Sequence, residues 1–256
     1  MKEQFEEVIN WIKSIPHVRG CITGSTLLEI FENENVLQDV DVFVFDEKSF
    51  NTLFYAMLYN KMFTVLDKTE NWKIEKYLKE PGKYKGKHTV NTYKFKYNTC
   101  IDVNIVLKDN CTNTASVLNS FDMDIICKGY DLETKQVLDL TNGSTVTKIA
   151  DWNRWNPSYY SNELWDMSRV LRQLERCIKY HNRGYNTDKV VIKYIDIIDK
   201  LQEFENVFKS DTFDERLTSI KNVTFLVKSI MKSWLKTHQI TDEQLELLKT
   251  NIKLLS

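Results

Sequence analysis

The sequence predicts an α/β (α+β) protein, with a mixed sheet within residues 1–150 and a helical bundle over 151–256. Three observations predict it. Short apolar or alternating runs at 18–23, 39–45, 62–66, 89–97 and 99–107 have the length and period of strands. After about residue 150 such runs stop, and apolar residues recur every three or four positions instead. Only seven Gly and three Pro occur in 256 residues, so no long flexible linker is expected between the two parts.

In order, residues 2–15 place Phe5, Val8, Ile9, Ile12 and Ile15 at helical spacing, and Pro16 closes that helix. A strand from Val18 to Thr23 leads into Gly24-Ser25, and 26–33 reads as a short helix. Asp39 to Phe45 is the next strand, apolar on both faces beyond its acidic start. Residues 47–60 form a helix with Phe50, Leu53, Phe54, Met57 and Leu58 inward, and Met62 to Leu66 reads as a short strand. Residues 89–97 and 99–107 read as two strands joined by a tight turn at Asn98. Phe121–Cys127 reads as a later strand, with 136–140 beside it.

The chemistry concentrates at residues 22–45. Residues two apart on a strand share a face, so Asp39 and Asp41 point the same way. Two carboxylates on one rigid strand repel each other, and a hard divalent cation such as magnesium relieves that repulsion. Gly24 lets a ligand approach the backbone, and Ser25 opens a helix whose free N–H groups favour phosphate. A phosphate cradle beside metal-holding carboxylates is the equipment of phosphoryl or nucleotidyl transfer.

This stretch resembles the signature of the DNA polymerase β-like nucleotidyltransferase superfamily: an apolar strand, Gly-Ser, a short spacer, then Asp-x-Asp in an apolar strand. Thirteen residues separate Ser25 from Asp39 here. The resemblance implies a catalytic palm domain over 1–150 and a helical C-terminal domain over 151–256. It also implies a third carboxylate from a neighbouring strand, and Asp102 in Cys100-Ile-Asp-Val-Asn-Ile-Val-Leu107 matches in type, strand context and order. On this reading Asp39, Asp41 and Asp102 hold two Mg2+ (or Mn2+) ions. NMP passes from an NTP to an acceptor hydroxyl, and Asp102 serves as base. Phe121-Asp-Met-Asp-Ile-Ile-Cys127 repeats Asp-x-Asp at Asp122 and Asp124, but no Gly-Ser precedes it and it follows Asp102. With Tyr130-Asp131 and Lys179-Tyr-His-Asn-Arg-Gly-Tyr185, it is similar to polymerase β-like members from bacteriophages and large DNA viruses. No second Gly-Gly-Arg-Asp-type motif supports a CCA-adding assignment.

Charge is distributed unevenly although the net is only −1. Residues 1–66 carry 5 Lys/Arg against 10 Asp/Glu, whereas 71–97 carry 8 Lys against 2 Glu among five Trp and Tyr residues. Lysines track phosphates and aromatics stack on bases, so Lys83, Lys85 and Lys87 are candidate acceptor contacts; a solvated strand face is the alternative. In the helix at 162–182, Leu164, Met167, Leu171, Leu174 and Ile178 face inward. Arg169, Arg172, Arg176, Lys179 and Arg183 form a stripe at steps of 3 and 4. Arg172, Arg176 and Lys179 are candidates for the triphosphate, unless acids such as Asp166 and Glu175 cancel the stripe. Helices at 188–208 and 213–236, and a last one opened by the capping box Thr241-Asp-Glu-Gln244, complete the bundle.

Five cysteines without Cys-x-x-Cys spacing argue against a structural zinc site and suit reduced thiols in a cytoplasmic setting. No apolar run reaches membrane-spanning length. The expected partners are an NTP and an RNA acceptor such as a 3′ end. Transfer to a protein or small molecule, or a non-enzymatic palm-fold protein that binds and inhibits a host factor, are the alternatives.

Overall fold

The computed structural model describes residues 2–27, 39–69, 90–108, 110–153, 167–207 and 215–255. The chain forms two compact units, Met1–Thr145 and Val146–Ser256.

The first unit carries α1 (Lys2–Ser14), β1 (Gly20–Thr23), a 3-10 turn (Gly24–Leu27), β2 (Asp39–Val44), α2 (Glu47–Tyr59), β3 (Phe63–Thr69), β4 (Val90–Tyr97) and β5 (Ile101–Lys108). Then follow α3 (Thr114–Asn119), a second 3-10 turn (Asp124–Ile126), β6 (Lys128–Asp131), β7 (Val137–Asp139) and, at the junction, α4 (Ser144–Thr147). The seven strands make one mixed sheet in the order β3-β4-β5-β2-β1-β6-β7. β2 and β5 run parallel, and every other neighbouring pair is antiparallel.

One face of this sheet is the core. Val40, Val42 and Val44 of β2 and Ile101, Val103 and Ile105 of β5 are buried against Phe5, Val8, Ile9 and Ile12 of α1 and Phe50, Leu53 and Met57 of α2. The helical spacing of those residues turns one stripe of each helix onto the sheet. α2 starts where Asp46 caps it, its Oδ1 accepting from the Ser49 N–H at 2.7 Å. On the opposite face Cys21, Phe43, Phe45, Cys111, Val117 and Phe121 form a smaller cluster. α3 packs there so closely that a Cβ on Gly129 would come within 2.9 Å of Thr114 Cγ2. Beside that cluster the same face carries Lys94, Lys96, Asp102, Asn104, Asp39 and Asp41.

Three local readings are corrected. Asp122–Cys127 is no strand: a 3-10 turn spans Asp124–Ile126, and the strand starts only at Lys128. Buried Met123, Ile125, Ile126 and Cys127 do not alternate, which is why a period of two fails there. β3 continues to Thr69, beyond the predicted short run. α3 and α4, of six and four residues, are too short to show a helical period; α3 is marked instead by Asn113 and Ser116, which form a capping box. Of the helix expected at 26–33, residues 28–33 lie outside the described residues, and 24–27 are a 3-10 turn.

The second unit holds α5 (Met167–His181), α6 (Asp188–Val207), α7 (Glu215–Thr237) and α8 (Asp242–Leu255). Its core takes Leu174, Cys177 and Tyr180 from α5, Val191, Tyr194 and Ile198 from α6, and Val227, Met231 and Trp234 from α7. Trp152 packs on Tyr194 at 4.4 Å and donates its indole N–H to the Val190 carbonyl at 3.2 Å. Gly184, at φ +86°, ends the chain segment after α5 in the left-handed conformation. At α8, the Gln244 N–H donates to Thr241 Oγ1 and the Thr241 N–H to Gln244 Oε1, the predicted reciprocal cap.

β1 and β2 approach closely at Gly20, where a Cβ would stand 2.4 Å from the Phe43 carbonyl oxygen. Gly20→Ala must therefore push β1 from β2. It should lower unfolding free energy by about 1–3 kcal/mol or more, measured by urea denaturation.

Candidate functional site

The polar face is ordered by strand register. In one row across three strands, Lys96 of β4 lies opposite Asp102 of β5, and Asp102 lies opposite Asp39 of β2. In the next row Lys94 is opposite Asn104, Asn104 opposite Asp41, Asp41 opposite Thr23 of β1, and Thr23 opposite Gly129 of β6. Paired residues share a face, so Asp39, Asp41, Asp102 and Asn104 form a square of four half-buried side chains. Neighbouring strands are about 4.8 Å apart, so the predicted third carboxylate stands beside the first.

Asp41 and Asp102 each have a neighbour that hydrogen-bonds the carboxylate or offsets its charge. Asn104 donates its Nδ2 hydrogen to Asp41 Oδ1 at 2.8 Å. Lys96 Nζ stands 3.3 Å from Asp102 Oδ1, an oxygen closed off from solvent and without an aligned hydrogen-bond donor. Both side chains of that pair are a third to a half exposed, so the contact is worth no more than about 1 kcal/mol. Gly24 lies at φ +80°, and a Cβ there would stand 3.1 Å from Asp41 Oδ2. The turn after β1 thus passes directly over the second oxygen of Asp41. Thr23 is fully buried and donates its hydroxyl to the Lys128 carbonyl at 2.7 Å, tying the end of β1 to β6.

The donor set suits a hard divalent cation, since three carboxylates occupy adjacent register positions on one rigid face. Among the described residues no three His, Cys, Asp or Glu side chains are drawn together around one point. The contacts of Asp41 with Asn104 and of Asp102 with Lys96 account for that: the backbone positions match, and the carboxylates are turned to their neighbours. Cys21, next along β1 on the same face, offers no thiolate. Burial pushes its thiol up to about 12 against the lowering effect of the Thr114 hydroxyl.

The other predicted residues fall elsewhere. Ser25 follows Gly24 in the 3-10 turn, and its side chain is outside the described residues. Lys83, Lys85 and Lys87 also lie outside them. Arg172, whose side chain is likewise not described, Arg176 and Lys179 sit on α5 in the helical unit. There Arg176 and Arg183 flank the Tyr180 ring at 6.0 and 5.6 Å, a packing use for two members of the cationic stripe. His181 stacks on His238 at 4.6 Å, with Trp234 edge-on, inside the same unit. Lys96 and Asn104 are the site residues that sequence reasoning did not single out. Asn104 was within reach, two residues from Asp102; Lys96 was not, because a turn centred on Asn98 pairs Asp102 with Lys94, whereas the observed loop Asn98-Thr99-Cys100 brings Lys96 opposite Asp102.

What fold and site define is an α+β protein whose mixed sheet presents a carboxylate-bearing polar face beside a glycine turn. The model of the Gabija anti-defense 2 family matches residues 1–151, and the chain belongs to that family. No curated protein matches. Among solved structures, a tRNA-processing enzyme in its apo form I is similar at 11% identity and a TM-score of 0.45, covering 98% of this chain and 74% of that one. A CCA-adding enzyme in complex with CTP is similar at 9% identity and 0.44, covering 98% and 69%. A tRNA nucleotidyltransferase complexed with a primer tRNA and an incoming ATP analog is similar at 11% identity and 0.41, covering 98% and 75%.

Gly24→Ala should destabilise the first unit by about 1–2 kcal/mol, because a side chain at positive φ crowds its own backbone and here also meets Asp41. In urea unfolding the double variant Gly24→Ala/Asp41→Ala should lose less than the sum of the two single changes.

Proposed function

We propose that this chain is a metal-dependent nucleotidyltransferase that moves NMP from an NTP to an acceptor hydroxyl, with RNA as the acceptor. The observation that carries the reading is the parallel register of β2 and β5. It sets Asp39 against Asp102 and Asp41 against Asn104, with the Gly24 turn over Asp41. Asp39, Asp41 and Asp102 would hold two magnesium ions. Bound there, magnesium supplies charge neutralisation for the triphosphate and a lowered pKa for the acceptor hydroxyl. The backbone of the turn at Gly24 and Ser25 takes the β- and γ-phosphates. The acceptor oxygen bonds to the α-phosphorus, the α–β bridging bond breaks, and pyrophosphate leaves. The acceptor's proton goes to Asp102.

Two features support an anionic acceptor. Lys94 and Lys96 line the polar face on the β4 side, across the carboxylates from the Gly24 turn. They belong to the same basic segment, 71–97, as Lys83, Lys85 and Lys87. The five cysteines are free, which suits action in a reducing cytoplasm.

Asp41→Asn and Asp102→Asn should each reduce label transfer from α-labelled NTPs to total RNA by at least about a hundredfold. Asp102→Asn should stay within about 1 kcal/mol of wild-type stability, given its exposed ion pair. Wild-type transfer in either variant removes the site assignment. For the acceptor, log K of RNA binding against log salt should fall with a slope of roughly −0.7 per phosphate contact. Charge reversal at Lys83, Lys85, Lys87 and Lys94 should flatten it, as filter binding would measure. A slope unchanged by that reversal points to a protein or small-molecule acceptor.

A second reading has its own observation. Lys96 pairs with Asp102, and among the described residues no three His, Cys, Asp or Glu side chains converge on one point. The family is named for anti-defense, which a protein that only binds and blocks a defence component would also satisfy. The two readings part at Asp41: its substitution by Asn abolishes defence inhibition if chemistry is needed and leaves it intact if binding suffices.

A further inference from the structure

We propose that Asn104 is a positioning residue that sets the orientation of the Asp41 carboxylate, a role resting on the nucleotidyl-transfer reading above. The square on the polar face has three carboxylate corners and one neutral corner, Asn104. An ionised carboxylate only accepts hydrogen bonds, so the group 2.8 Å from Asp41 Oδ1 must be the amide NH2 and not its oxygen. A hydrogen bond to a charged acceptor is among the stronger ones, and both residues are anchored on adjacent, register-locked strands. The terminal torsion of an aspartate is otherwise broad. Fixing Oδ1 on Asn104 also fixes where Oδ2 stands, next to Gly24, where an added Cβ would be only 3.1 Å away. Asp41 thus presents one defined oxygen to the space beneath the glycine turn. A fourth carboxylate at position 104 would remove the donor and add repulsion to three existing negative charges. Leucine would match the size of asparagine and leave the carboxylate without its donor.

The test uses the full chain with Asn104→Leu, Asn104→Gln and Asn104→Asp, and three readouts. The first is metal-free. In a thermal-unfolding cycle of Asn104→Leu with Asp41→Asn, midpoint shifts should be non-additive; additive shifts overturn the contact itself. The second is Mn2+ binding followed by electron paramagnetic resonance. Asn104→Leu should weaken it about tenfold, and Asn104→Gln should restore it to within about threefold by keeping the amide donor. The third is steady-state transfer, where Asn104→Leu should lower kcat by tenfold or more with NTP KM changed less than threefold. Asn104→Asp should bind Mn2+ at least as well as wild type yet keep the low kcat, which separates orientation from charge. Wild-type Mn2+ affinity and kcat in Asn104→Leu, or a loss that Asn104→Gln does not restore, overturn the positioning role. A wild-type chain that neither binds Mn2+ nor transfers NMP overturns the nucleotidyl-transfer reading and the role of Asn104 with it.

Discussion

The site depends on one constraint, the register of the parallel pair β2 and β5. Side chains alternate along a strand, so a slip of one residue would carry every side chain to the opposite face. Such a slip would bring Val40, Val42 and Val44, or Ile101, Val103 and Ile105, out of the core and put aspartates in their place. Burying one such side chain is worth about 1.5–3 kcal/mol, so moving three out of the core approaches the whole stability of a typical domain, about 5–15 kcal/mol. Repulsion among three half-exposed carboxylates is far smaller. The apolar face therefore dictates where the acids stand, and the acids cannot rearrange the sheet to escape one another.

The protein meets the resulting charge with contacts of very different permanence. The Asn104 amide hydrogen-bonds to a carboxylate from a neighbouring strand and adds no charge of its own. The Lys96 ammonium is a long, partly exposed side chain whose pair with Asp102 holds at 3.3 Å without an aligned hydrogen bond. A contact of that kind is weak in water and gives way to any stronger counter-charge. The row from Lys96 to Asp39 is thus exchangeable at one end, whereas the row through Asn104 and Asp41 is fixed between two strands and a glycine turn.

Much of this could be read from the chain alone, because strand alternation and helix spacing are local. Asp39, Asp41 and Asp102 were placed on polar faces by counting residues, and each stands on the polar face of its strand. The long helices were found for the same reason: each carries enough turns to show a stripe. What escaped was either too short to have a period, such as α3 and the turn at Asp124–Ile126, or lay across strands. Lys96 read as one more lysine of a basic segment, and Asn104 as a polar neighbour. Their roles come from pairings between β4, β5 and β2, which no local pattern encodes. In the cationic stripe, spacing alone marks Arg176 as a candidate for the triphosphate, and Arg183 continues the same stripe. The ring of Tyr180 gives both a structural reason to be there.

Because the two faces of the sheet have separate duties, stability and chemistry come apart at single residues. Val42 and Asp41 are adjacent in the chain, yet the first is wholly buried in the core beneath α1 and α2 and the second is half-buried on the opposite face with Asn104. A change at Val42 is felt by every element packed on it, while a change at Asp41 disturbs the hydrogen bond from Asn104 and the space under Gly24. That separation lets the same fold carry either an enzyme or a pure binding protein without being rebuilt. A chain retained only for binding needs the core face and some outer surface, and places no demand on a square of three carboxylates with a neutral amide at the fourth corner. All three acids, the amide and the glycine turn are nevertheless present together in register. The arrangement costs electrostatic repulsion and adds nothing to the apolar core, and that imbalance is what the nucleotidyl-transfer proposal accounts for.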